Sequence, residues 1–424
     1  MNVGIGDIAV YVPPLRMALE RLQERHRAAD AALADRFDRA VAKTGQRAIR
    51  FPGSWEDAAT MAAQAALALV TRFGGKDLHR LRYLIVGTET ALDLAKPIAA
   101  YVVGMLRRAG LPVPAALSAF QTQHACASGT VALLGVGALL AVAGQPDECG
   151  LVICTDVARY EAGTTAEVTQ GAGAVAMLAE PGPQLLELDI STAGYATEDV
   201  DDFFRPVGAS TPQVKGRRSI ECYKQGLAGA LEDHASRLGA TPREVLRQAD
   251  IIAMHAPYHG LPGEALRELL VQHLGLGEEA AGEYLQERSF AASVLPSQTV
   301  GNLYSGSLFL GLASALHEHY QRLGERIVGK RALLFSYGSG STAVAFGGRV
   351  SANAPQVLAK WDLERQLNHA TDAPLAEYDR WMMNGAAASE PSVTAPNRTP
   401  TGSGRFFLDH VREDGYRIYD VSAG

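Results

Sequence analysis

Cysteine is scarce in this chain. Four stand among 424 residues: Cys126, Cys149, Cys154 and Cys222. None forms a CxxC pair, so neither a cysteine-based metal site nor a disulfide framework is expected. A reducing, cytoplasmic setting is the default, and it keeps a reactive thiol free. An excess of basic charge is also missing, with 39 basic residues against 46 acidic ones and a net charge of −7. That balance gives no general attraction to nucleic acid. The opening residues, MNVGIGDIAVYVPP, lack a basic region followed by a long apolar core, so no secretion signal is expected. Long uncharged apolar runs are absent but for one, Ala125 to Gly144. Its 20 residues are enough to span a bilayer. No basic or aromatic flank accompanies it, and Gln145, Pro146, Asp147 and Glu148 follow. The run therefore reads as a central helix buried on all sides, not as a membrane span.

What is present describes a globular chain with ample core: 47% hydrophobic and 20% charged residues. Val3 to Val12 alternates small and β-branched residues and stops at Pro13 and Pro14, as a strand does. Short apolar strands are expected again at Arg82 to Gly87, Pro114 to Thr122, Leu151 to Thr155 and Gly171 to Leu178, most of them separated by helical stretches. Ser54, with Asp57 three residues on, fits a capping box for one such helix. Ile251 to His255, Gly301 to Leu316 and Arg331 to Gly348 repeat the plan. The order implies an α/β fold of two similar halves, residues 1–185 and 186–424. Leu15 to Thr44 reads as a charged helical excursion, and Pro355 to Asp379 as a polar helical stretch. Asn384 to Gly404 has loop composition, and Arg405 to Tyr419 reads as a closing hairpin turning at Asp414 and Gly415.

Reactive groups collect where strands end or helices open. Glu89 follows one strand in VGTET, Cys126 lies in QHACASGT, His255 in AMHAPYHG and Asn302 in VGNLYSGS. A glycine-serine turn, SYGSGS, spans Ser336 to Ser341. Strand ends are where α/β sheets build sites. Cysteine with histidine is a nucleophile and acid–base pair suited to acyl transfer, and a glutamate adds a second base. As the first residue of the long helix, Cys126 is expected to feel the helix dipole and to have a lowered pKa. Gly129, Gly135 and Gly137 are costly in a helix unless another element must come close. Backbone N–H groups at Cys126 and in the SYGSG turn are candidates for an oxyanion hole. His124 and His259 are rivals for the role of His255.

Nine stretches in order, from TGQRAIRFPGSWEDAATMAAQAA through VGTETALDLAKPIAAYV, ACASGT, VICTDVARY, TQGAGAVAML, DDFFRP, MHAPY and GNLYSGSLFLGL to LFSYGSGS, resemble the hydroxymethylglutaryl-CoA synthase family of the thiolase superfamily. The resemblance implies a thiolase-like fold, two α/β halves with mixed five-stranded sheets packed around buried helices. It places the family's catalytic glutamate, cysteine and histidine on Glu89, Cys126 and His255. It places the acyl-contacting asparagine and serine on Asn302 and Ser339, and the supporting aspartates on Asp156 and Asp202. The implied reaction joins acetyl-CoA, held as acetyl-Cys126, to acetoacetyl-CoA, with no metal and no cofactor beyond the coenzyme A thioesters. A homodimer is implied too, within the mevalonate route to isoprenoids.

One departure stands out. The family carries lysines for the CoA phosphates after the MHAPY segment, and here the residues are His259-Gly260-Leu261-Pro262-Gly263-Glu264. That opens an alternative within the family: a β-branching enzyme of polyketide assembly acting on ketones bound to an acyl carrier protein. A decarboxylating ketoacyl synthase III-like enzyme and a non-catalytic scaffold are the readings outside it.

Overall fold

The computed structural model describes residues 2–72, 75–386 and 402–423. Most of the expected loop at Asn384 to Gly404 lies outside these residues. Ten strands form the main sheet: β1 (Val3–Tyr11), β2 (Leu81–Gly87), β3 (Ser118–Thr122), β4 (Cys149–Ala158), β5 (Gly171–Pro181), β6 (Leu186–Leu188), β7 (Gly194–Thr197), β8 (Ile251–Met254), β9 (Arg331–Gly338) and β10 (Thr342–Val350). Their order is β8-β9-β10-β6-β1-β5-β4-β2-β3, with β7 beside β10. The five strands β1 to β5 come from the first half. Short β6 pairs with both β1 and β10 and carries the hydrogen-bonded path into the second half. Pairing is mixed: β2 runs parallel to β3 and β4, and β8 parallel to β9, while the remaining pairs are antiparallel.

The strands read as near-continuous apolar runs because both faces are covered. Four helices matter below: α1 (Ala58–Arg72), α2 (Ser128–Ala143), α3 (Gly216–Arg237) and α4 (Ser307–Leu323). One layer of core holds α2 and α4 against residues such as Ile5, Val152, Leu334 and Phe346. On other faces α1 covers the first half's strands and α3 covers β8 and β9. Gly87 marks one close approach between elements. A Cβ on Gly87, at the end of β2, would sit 2.5 Å from the Gly129 nitrogen of α2.

Several expectations need correction. The helix begins at Ser128, with Ala127 as its cap residue, so Cys126 precedes it. It is not buried all round: Val131 is 41% exposed, Leu139 39% and Val142 89%. The segment Ala125–Ala143 is long and apolar enough to cross a membrane by composition, yet much of it is core. Of its glycines, Gly129 meets Cys154 and Gly137 meets Ile190, but Gly135 faces open space. The cap of α1 is Asp57, whose carboxylate accepts from the backbone N–H of Ala59 and Thr60, and not Ser54. The strand expected from Pro114 starts at Ser118. Leu15 to Thr44 opens with a short strand, Leu15–Ala18, before two helices. The closing hairpin is present as Phe406–Val411 and Arg417–Val421.

Candidate active site

The register of the parallel strands decides where the reactive groups meet. Gly87 stands opposite both Thr122 and Cys154, so β2, β3 and β4 deliver Glu89, Cys126 and Asp156 just beyond one line. Ala125 takes a left-handed conformation, φ +42°, rare for a residue with a Cβ. The chain thereby turns sharply and presents Cys126 at the apex before α2. The thiol donates to Glu89 Oε2 across 3.3 Å, and both residues are buried.

Asp156 is the hub beneath this pair. Its Oδ1 accepts from the Thr88 hydroxyl, from the Glu89 and Thr90 N–H groups and from the Thr90 hydroxyl, at 2.7–3.1 Å. Its Oδ2 accepts from the Ser305 N–H and hydroxyl. One carboxylate thus ties the Glu89 loop to the segment that carries Asn302. Arg205 donates to the Glu89 carbonyl, so both peptide groups of Glu89 are held.

Electrostatics here run opposite to expectation at the sulfur. Burial, then the Glu89 carboxylate, push the Cys126 thiol up, not down. The thiol lies outside the helix's first turn, where the dipole would act most strongly. Burial, then the charge of Asp156, push Glu89 up from 4.5 to about 8. Two acids crowded in a dry pocket favour their neutral forms.

His255 comes from the other half. Its N–H donates to the Phe335 carbonyl at 2.8 Å, and its carbonyl accepts from the Tyr223 hydroxyl at 2.6 Å. It is 1% exposed, and burial lowers its pKa from 6.5 to about 3. The imidazole is therefore neutral. Its direction follows from strand alternation. Met254 and Phe335 face the α3 side, so His255 and Ser336 face the other. Gly338 shares that face, and a Cβ there would sit 2.5 Å from the His124 carbonyl and 2.9 Å from the Ala127 nitrogen. The turn bearing Cys126 thus lies directly on the face to which His255 points.

Asn302 is buried, and its Oδ1 accepts from the Tyr304 N–H and the Ser307 hydroxyl. Its amide nitrogen is the end suited to donate to a ligand oxygen. Tyr304 packs with Cys126, Tyr160 and Phe203, three aromatic rings around the sulfur that sequence reasoning did not pick out. Tyr223 was missed as well, because its partner is a main-chain carbonyl that leaves no sequence signal. Asp202 is fully buried and accepts from the Tyr337 hydroxyl and the Gly340 N–H, both at 2.9 Å. It anchors the turn that carries half-buried Ser339. The Gly340 N–H is spent on Asp202 and that of Ser341 on the Glu198 carbonyl, so neither serves an oxyanion. His259 is engaged elsewhere, with Gln46 and the Val294 carbonyl. His124 is half-buried with its N–H on Ser128. All four cysteines are free, and no cluster of metal-binding side chains occurs among the described residues.

Comparison with known proteins gives the family. Residues 1–184 match the family model for the N-terminal part of hydroxymethylglutaryl-coenzyme A synthase, and residues 277–422 match that for its C-terminal part. The chain belongs to the hydroxymethylglutaryl-CoA synthase family. It is an acyltransferase of the hydroxymethylglutaryl-CoA synthase type. It is 35% identical over 379 residues to hydroxymethylglutaryl-CoA synthase of Enterococcus faecalis, spanning 89% of this chain and 91% of that one. To the enzyme of Haloferax volcanii it is 31% identical, spanning 78% and 81%. Its structure resembles that of MvaS in complex with 3-hydroxy-3-methylglutaryl coenzyme A, with a TM-score of 0.83 and 32% identity over 100% of this chain and 99% of that one. It also resembles the curacin biosynthetic pathway HMG synthase in complex with holo donor-ACP, with a TM-score of 0.86 and 25% identity over the full length of both. Asp202 and His255 lie between the two matched segments, so their placement here rests on the structure itself.

Proposed function

We propose that Cys126, Glu89 and His255 carry the condensation, each in one role. Cys126 attacks the thioester carbonyl of acetyl-CoA. The acetyl group moves to sulfur, and coenzyme A leaves with the thiol proton. Glu89 then removes a proton from the acetyl methyl group. A carboxylate with a pKa near 8 is matched to proton abstraction near neutral pH. The resulting enolate carbon adds to C3 of the acetoacetyl thioester. His255, a neutral donor in a dry pocket, binds the ketone oxygen and supplies the proton that makes it a hydroxyl, and the proton that Glu89 took from carbon replaces it on the ring. Asn302 donates to the acceptor's thioester oxygen, and Asp156, Asp202 and Ser339 hold the walls. Water hydrolyses the Cys126 thioester and releases the product. The observation that carries this reading is the 3.3 Å contact between the buried sulfur and the buried carboxylate. No metal or other cofactor enters these steps.

Coenzyme A is the first reading of the thioester carrier, and the likeness to a synthase bound to donor-ACP supports carrier-protein thioesters as the second. The segment after Tyr258 favours neither by charge. Gly260 and His259 dock on Thr44 and Gln46, and no lysine stands there. Acetyl-CoA supplied with acetoacetyl-CoA or, separately, with acetoacetyl carrier protein separates the two. Consumption of acetoacetyl-CoA supports the first, and consumption of the carrier-bound ketone alone replaces it with the second. A homodimer in the cytoplasm completes the reading, and sedimentation of the pure protein at twice the chain mass tests the first part.

A further inference from the structure

A neutral imidazole carries one proton, and the nitrogen that holds it decides what the ring can do. For a donor to a ketone oxygen, that nitrogen must be the one facing the substrate. Histidines in such roles commonly have the other nitrogen fixed by a carboxylate or a carbonyl. His255 does not: its Nδ1 is buried without a hydrogen-bond partner. A second buried polar atom without a partner, the hydroxyl of Ser336, belongs to the neighbouring strand.

The ladder makes these two neighbours. Residues 251 to 254 pair in parallel with 332 to 335, and the His255 N–H to Phe335 carbonyl bond closes the last of these pairs, Met254 with Phe335. His255 and Ser336 are the residues that follow that pair on the two neighbouring chains. Partners in a parallel pair project to the same face about 5 Å apart. Both are 1% exposed. Leaving a buried polar group without a partner is costly. One shared hydrogen bond, direct or through a single water, removes the cost for both.

We infer that Ser336 is the positioning residue for His255, its hydroxyl donating to Nδ1 and so placing the ring proton on Nε2. The direction follows from counting donors. With the serine donating, no buried hydrogen is left unpaired. With Nδ1–H donating to the serine, the hydroxyl hydrogen has no acceptor. The serine thus selects the tautomer whose N–H is aimed at the ketone, and does so without a charge. A carboxylate at this place would stabilise the imidazolium, whereas a hydroxyl keeps the ring neutral.

The inference rests on His255 as the donor of the condensation, but its first readout does not. Nitrogen NMR of the full-length protein labelled in histidine distinguishes the two tautomers directly. Nε2–H is expected in the parent, and Nδ1–H there would overturn the inference whatever the enzyme's activity. In Ser336→Ala the Nε2–H signal should weaken in favour of the other tautomer. Condensation should fall by roughly ten- to a hundredfold, within the ~10²–10⁴ that a general acid contributes. Acetylation of Cys126 should continue at the parental rate, which also shows that the variant is folded. Ser336→Thr keeps the hydroxyl and should restore both signal and rate. An alanine variant with the parental tautomer and parental rate would refute the assignment. A changed tautomer with an unchanged rate would leave the tautomer control standing and remove His255 from the proton-donor role.

Discussion

The two halves of the molecule treat their reactive side chains in opposite ways. The Glu89–Cys126 corner is polar and crowded: a thiol and a carboxyl in contact over a second carboxylate, Asp156, that accepts from Thr88, Glu89, Thr90 and Ser305. The His255 corner is largely apolar: Tyr223 and Phe335 hold its main chain, and the Tyr223 ring packs 6.4 Å from the imidazole. Burial, then the charge of Asp156, lifts the carboxyl of Glu89 to about 8, and burial lowers the imidazole to about 3. Each environment thus sets a protonation state. The first gives a base strong enough to take a proton from carbon, and the second gives a neutral donor. Main-chain anchoring is what the corners share, since both peptide groups of Glu89 and of His255 are hydrogen-bonded.

The sharpest break in the comparison removes the sulfur. Cys126→Ala should abolish turnover, by at least about 10⁴-fold, because no covalent acyl carrier is left. Steady-state assay of free coenzyme A release checks this. His255→Gln should leave acetylation of Cys126 intact and slow condensation by about 10²–10⁴-fold, the range of a general acid. Rapid-quench measurement of each half-reaction tests that separation of the corners.

Stability against pH should bend in opposite directions. Glu89, raised from 4.5 to about 8, binds its proton in the folded chain at a pH where the unfolded chain has released it. Its contribution is fully present below 4.5 and is lost as the pH rises through about 8. His255, lowered from 6.5 to about 3, does the reverse, and its contribution is lost as the pH falls below 6.5 towards 3. Thermal melts of Glu89→Gln should therefore lose part of the alkaline decline. Melts of His255→Gln should lose part of the acid decline. The smallest change is expected from Tyr337→Phe, which takes one hydrogen bond from Asp202 and should cost about 1 kcal/mol in denaturant unfolding, with the sulfur chemistry unaffected.

Much of this site was legible along the chain. Glu89, Cys126, His255 and the SYGSGS turn follow or close strands, which are read from apolar runs that stop at polar residues, whereas Asn302 follows the short helix Ser297–Val300. The general α/β architecture follows from the same runs. What was not legible depends on three-dimensional environment. The pKa of Cys126 was misjudged because the helix start lies two residues on, and because the burying neighbours come from Glu89 and Tyr304, far away in sequence. The long helix keeps one apolar face exposed at Val131, Leu139 and Val142, a face that its uniform composition hides. Tyr223 and Ser336 act through a carbonyl and a strand register, neither of which leaves a pattern in the sequence.

The contact between sulfur and carboxylate is tested most directly by trapping. Glu89→Gln is supplied with labelled acetyl-CoA and then acetoacetyl-CoA, and the labelled peptide is mapped by mass. The account predicts acetyl on Cys126 that persists, with 3-hydroxy-3-methylglutaryl-CoA formed about 10²–10⁴-fold more slowly than by the parent. Label anywhere but Cys126, or product at the parental rate, would contradict it.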